Sequence, residues 1–107
     1  MANPLNNSFE NWISPGDPGY SSGVCDNWTA YSENGGTFAR ESSTAKEGSY
    51  SANIRSNSVG NINSVGGCIS DAFYLDKANF TFWTRQPETT TQVEIYFYLL
   101  DASNNVL

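Results

Sequence analysis

The sequence predicts an all-β fold: an antiparallel β-sandwich or jelly roll, built as a single domain over residues 1–107. Three observations predict it. No stretch of eleven or more residues keeps apolar positions at helical spacing. Gly, Pro, Asn and Ser interrupt the chain every few residues. Between the interruptions lie short runs rich in aromatic and β-branched residues, six to eight of them at roughly 8–15-residue spacing, as in sandwiches and jelly rolls.

The elements follow in order. Residues 7–12 (NSFENW) form the first short strand. Residues 13–26 form a long loop, because Pro15 and Pro18 lack the N–H that a central strand needs. This loop, with Asp17 and Tyr20, either covers the edge of a ligand or merely connects. Residues 27–31 form a strand with Trp28 and Ala30 on one face, and Trp12 and Trp28 are expected in the core or at its rim. Asn34-Gly35-Gly36 is a turn, 37–41 a strand and 42–49 a Ser/Thr-rich loop. In 50–55, Tyr50, Ala52 and Ile54 alternate onto one side. Residues 56–67 are polar, with a weak strand near 62–65, and 68–75 form another strand.

The clearest pair comes last. Residues 79–85 (NFTFWTR) and 92–100 (QVEIYFYLL), joined through Pro87-Glu88-Thr89-Thr90, predict a hairpin. Alternation puts Phe80, Phe82 and Thr84 on one face with Val93, Ile95, Phe97 and Leu99, the expected core set. Trp83, Arg85, Glu94, Tyr96 and Tyr98 occupy the other. After turn chemistry at 101–105, the strand 92–100 is left as a long apolar edge. The sheet is therefore expected to be incomplete at the C-terminus, completed by a longer polypeptide or by a neighbouring subunit.

Composition narrows the function. The 107 residues carry 5 Lys+Arg against 11 Asp+Glu, a net charge of −6, with no histidine. A negative chain with scattered cations has no footprint for a phosphate backbone, so nucleic-acid binding is not expected. No apolar run approaches the roughly 20 residues of a membrane-spanning helix, so membrane insertion is not expected. Residues 1–5 lack the basic-then-apolar pattern of a signal peptide. Aromatics make up 14% of the chain, against the composition of a disordered one. Cys25 and Cys68 stand in no CxxC pattern; they are either two buried thiols or one disulfide. The sequons at Asn6, Asn27 and Asn79 carry little weight, because a chain with 13 Asn, 14 Ser and 8 Thr produces about that many by chance.

Several segments, taken in order, resemble one family. Asn7-Ser8-Phe9-Glu10 with Trp12, then Trp28, then residues 43–54 (STAKEGSYSANI), then Phe80-Thr81-Phe82-Trp83-Thr84-Arg85 are similar to successive motifs of carbohydrate-binding-module-like jelly rolls, the galactose-binding-like β-sandwiches. Lys46 stands where such domains often carry histidine. The resemblance implies a module of an extracellular, cell-surface or virion protein. It also implies a structural calcium near Glu10, with Lys46 and Ser49 supplying carbonyl or hydroxyl oxygens and a further acid lying beyond Leu107. Calcium takes six to eight oxygens; the alternative is Glu10 as a capping carboxylate.

The expected function is non-catalytic binding of a glycan or polysaccharide, or adhesion. Trp83, Tyr96 and Tyr98 would stack on sugar faces while Arg85 and Glu94 orient hydroxyls. The rival is a structural assembly protein, such as a viral tail-fibre, turret or decoration component or a fibre subunit, with the same face and edge strand 92–100 contacting neighbouring subunits. No GxSxG, P-loop, CxxC or predictable carboxylate pair supports an enzyme.

Overall fold

The computed structural model describes residues 6–56, 63–74, 81, 83–85 and 94–107. Among these the protein is all-β and sandwich-like, with antiparallel strands in two sheets and no helix. The strands are β1 (Trp12–Ser14), β2 (Val24–Cys25), β3 (Trp28–Glu33), β4 (Thr37–Glu41), β5 (Ser51–Arg55) and β6 (Val65–Ser70). One sheet runs β1-β2-β3-β6; the other is the pair β4-β5.

Tertiary contacts move several boundaries. The expected strand 7–12 is instead a turn leading into β1. Phe9 N–H donates to the Asn6 carbonyl at 3.0 Å, and both residues have positive φ (58° and 52°). The Asn6 carboxamide oxygen accepts from the N–H of Glu10 and Asn11 at 3.0 and 3.1 Å, which holds the chain bent.

The loop expected over 13–26 contains the end of β1 and all of β2, which pair with each other (Trp12 opposite Cys25). Between them, the chain lies along the free edge of β4. Gly23 N–H donates to the Phe38 carbonyl and Arg40 N–H to the Pro15 carbonyl, both at 2.8 Å, and Phe38 N–H donates to Ser22 Oγ at 3.1 Å. The segment thus shields an edge that would otherwise present unpaired backbone groups.

Asn34-Gly35-Gly36 turns as expected. Asn34 and Gly35 both have positive φ, and Gly36 N–H returns to the Glu33 carbonyl at 3.2 Å, the primed geometry that Asn-Gly favours. The two strands expected near 62–65 and 68–75 are a single strand, β6, and 71–74 carry none. The glycines that suggested a break allow close approach instead. A Cβ on Gly66 would lie 2.3 Å from the Arg55 carbonyl oxygen and 2.4 Å from that of Thr37. β6, paired with β3 throughout, crosses there against β4 and β5.

The core sits where β4 meets the first turn. Thr37, Phe38 and Ala39 are buried, as is Cys25. The Phe38 ring packs against Trp12 (centroids 5.0 Å apart) and Phe9 (6.2 Å, edge-on), and Phe9 against Trp28 (4.7 Å). Each such ring pair adds about 0.5–1.5 kcal/mol beyond its burial. Both tryptophans are half-buried at the core rim, with indole N–H groups donating to the carbonyls of Phe9 and Asn6.

One open alternative is decided and one expectation is corrected. Cys25 and Cys68 are free thiols. Cys25 pairs with Trp28 on one edge of β3 and Cys68 with Ala30 on the other. Two strand spacings of about 4.8 Å therefore separate them, beyond the roughly 7 Å Cα reach of a disulfide. Second, the described parts of the expected hairpin (81, 83–85 and 94–99) carry no strand; only Leu100 bridges to Val106. Ile95, Phe97 and Leu99, the expected core set of that strand, are exposed (47%, 64% and 79%), and so is Thr84. Phe80, Phe82, Val93 and the 87–90 connection lie outside the described residues.

Candidate functional site

The expected ligand face resolves into two clusters. In the first, the Lys46 ammonium lies over the Trp83 ring, 4.0 Å from its centroid. Trp83 remains 73% exposed. A cation over an indole is attracted by the negative face of the π-system, by about 0.5–1 kcal/mol at an exposed position. Lys46 and Trp83, assigned from sequence to different sites, thus occupy one. Arg85, two positions on, is exposed.

In the second cluster, the rings of Tyr96 and Tyr98 are stacked, 6.4 Å between centroids and 22° from parallel. Two residues apart in an extended chain, they project to the same side. The Tyr96 hydroxyl donates to the Glu94 carboxylate. That hydrogen bond, and then the carboxylate's charge, push the Tyr96 phenol above its ordinary pKa. The hydrogen bond restrains the ring, which stays largely exposed. No ring contact joins Trp83 to Tyr96 or Tyr98 among the described residues.

Of the expected metal residues, Glu10 and Ser49 meet, in a different role, while the Lys46 side chain lies over Trp83. Glu10 accepts from the N–H of Ser49 at 3.0 Å (Oε1) and 3.1 Å (Oε2), and from the N–H of Tyr50 at 2.9 Å. Gly48 makes room for it: with φ at 70°, a Cβ there would lie 2.3 Å from Oε1. The carboxylate thus caps the turn that launches β5. This donor set does not fit calcium. The groups aimed at Glu10 are N–H donors, which repel a cation. Among the described residues no three His, Cys, Asp or Glu gather as metal ligands.

Neither thiol is shifted toward the thiolate. Burial pushes Cys25 up to about 11, against the opposing hydrogen bond from Asn6 and with a small further rise from Asp26. Burial also pushes Cys68 up to about 12, with a smaller contribution from Cys25. A thiol nucleophile needs the opposite shift.

Sequence reasoning missed two groups. In sequence Asn6 stands out only as a sequon, yet its side chain is fully engaged inside the first turn. Arg55, at the end of β5, forms a pocket with Pro18, Gly19 and Tyr20. The signal for it was Asp17-Pro18-Gly19-Tyr20, the pattern of a type II turn. Comparison with family models, curated proteins and solved structures finds no match for this chain.

Proposed function

We propose that this chain is a non-catalytic glycan-binding or adhesion module of a secreted, cell-surface or virion protein. The observation that carries the reading is the Glu94–Tyr96–Tyr98 arrangement: two exposed, near-parallel rings, one held by a carboxylate. Flat rings stack on the C–H faces of a pyranose, and a carboxylate accepts hydrogen bonds from hydroxyls. Trp83, steadied by Lys46, offers a further face. Each contact is weak, and repetition of the module supplies avidity. Glycan-array or polysaccharide pull-down binding that is lost in Tyr96→Ala and Trp83→Ala, with the melting temperature unchanged, supports this reading. Binding that survives both changes overturns it.

A second reading, a structural assembly protein, is favoured by a different observation. Ile95, Phe97 and Leu99 are exposed, and 94–99 belong to no strand. Such a segment suits strand addition to a neighbouring subunit. If Tyr96→Ala and Trp83→Ala dissolve an oligomer instead of abolishing glycan binding, assembly is the function.

A further inference from the structure

We propose that the pocket formed by Pro18, Gly19, Tyr20 and Arg55 binds the carboxylate of an acidic sugar, a uronic-acid-type pyranose. One wall is a rigid turn. Tyr20 N–H returns to the Asp17 carbonyl at 2.9 Å, Pro18 fixes the first corner, and Gly19 (φ 95°) takes the second, as a type II turn requires. Asp17 and Ser21 exchange backbone hydrogen bonds at 2.8 and 2.9 Å, closing the base. The turn is seated on β4, because Gly19 N–H donates to the buried Thr37 Oγ1 at 3.1 Å.

The other wall is Arg55, paired across the β4-β5 ladder with Thr37. Its guanidinium lies against Gly19, where a Cβ would come within 3.3 Å of Nη1. No hydrogen bond or ion pair engages that guanidinium among the described residues. A planar fork of donors left without an acceptor matches a carboxylate bidentately. Tyr20, 88% exposed, offers a ring beside it. The space is about 220 Å³ and open to solvent, below the usual range for drug-sized ligands and suited to a single ring. The net charge of −6 disfavours anions at long range, so selection rests on local geometry. The choice of a sugar as the acid's carrier rests on the glycan-binding reading; the anion-binding geometry does not.

The test is a ¹⁵N HSQC titration of the full chain with methyl glucuronide and with neutral methyl glucoside. The expected result is a shift of the Gly19 and Tyr20 amides and the Arg55 side-chain signal, with about tenfold preference for the glucuronide. Arg55→Gln removes the preference while leaving the melting temperature unchanged. Tyr20→Ala weakens both sugars. Tyr96→Ala alters neither. Equal response to the two sugars, a preference that survives Arg55→Gln, or acetate competing as well as the glucuronide overturns the proposal. Array binding through Tyr96 and Trp83 without these shifts overturns the pocket alone. Arg55-dependent shifts without array binding support the pocket and count against the Tyr96–Tyr98 surface.

Discussion

The Asn6 carboxamide and the Cys25 thiol meet across 19 positions of chain, Nδ2 donating to Sγ at 3.2 Å. The same Nδ2 donates to the carbonyls of Asn11 at 3.0 Å and Asp26 at 2.8 Å, while the oxygen accepts from Glu10 and Asn11. One side chain thereby ties the first turn to β1, to β2 and to the β2–β3 connection.

Asn6→Asp is expected to destabilise the fold as much as Asn6→Ala, because a carboxylate keeps the acceptor and loses both donors. Losing the hydrogen bonds to these two carbonyls and to the partly buried Cys25 thiol costs roughly 2 kcal/mol in all, a fall of about 8–16 °C in Tm for a domain of this size. Thermal denaturation followed by circular dichroism measures it. Full stability in Asn6→Asp would show that the acceptor half alone holds the turn.

Glu10 is a cap for the turn into β5. Glu10→Ala should cost about 1–3 kcal/mol by orphaning the N–H groups of Ser49 and Tyr50. Glu10→Gln keeps an oxygen acceptor and should cost less. Gly48→Ala should cost about 1–3 kcal/mol through its left-handed backbone alone, and more through collision with the carboxylate. Millimolar calcium or a chelator should leave the Tm unchanged; a rise with calcium would reverse the assignment of Glu10.

The thiols give a pH signature. Their folded pKa values, about 11 and about 12, lie above the ordinary 9.0. The folded state therefore holds these protons more tightly than the unfolded chain. Stability is unaffected below pH 9 and falls as the pH rises from 9 toward 11–12, where only the unfolded thiols ionise. Urea titrations at pH 8 and pH 10 should show the loss, and Cys25→Ser/Cys68→Ser should reduce it. At pH 8 both thiols should resist a disulfide reagent until urea exposes them.

The 95–107 surface gives a solubility signature. Leu99→Lys should change stability by less than about 0.5 kcal/mol, since the side chain is exposed. The Leu99 carbonyl, which accepts from Leu107 N–H at 2.9 Å, is a backbone group that the substitution retains. Sedimentation velocity should show less self-association than in the unsubstituted chain. An unchanged distribution would remove the apolar segment as its cause.

What the sequence determined by itself was local. Alternation and turn chemistry mark β3, β4 and β5 to within a residue or two, and Asn34-Gly35 dictates its turn because both residues tolerate positive φ. The absence of helical periodicity settles the all-β class. What only tertiary structure decided depends on neighbours distant in sequence. The Gly66-Gly67 pair looks like a breaker until Thr37 and Arg55 are placed against it. Residues 15–23 look like a connection until the open edge of β4 supplies their hydrogen bonds. Alternation alone made Ile95, Phe97 and Leu99 a core face, but a face is buried only when something packs on it, and periodicity within a segment carries no record of its partner. For the same reason, Lys46 with Trp83, and Tyr20 with Arg55, became sites only when folding brought them together.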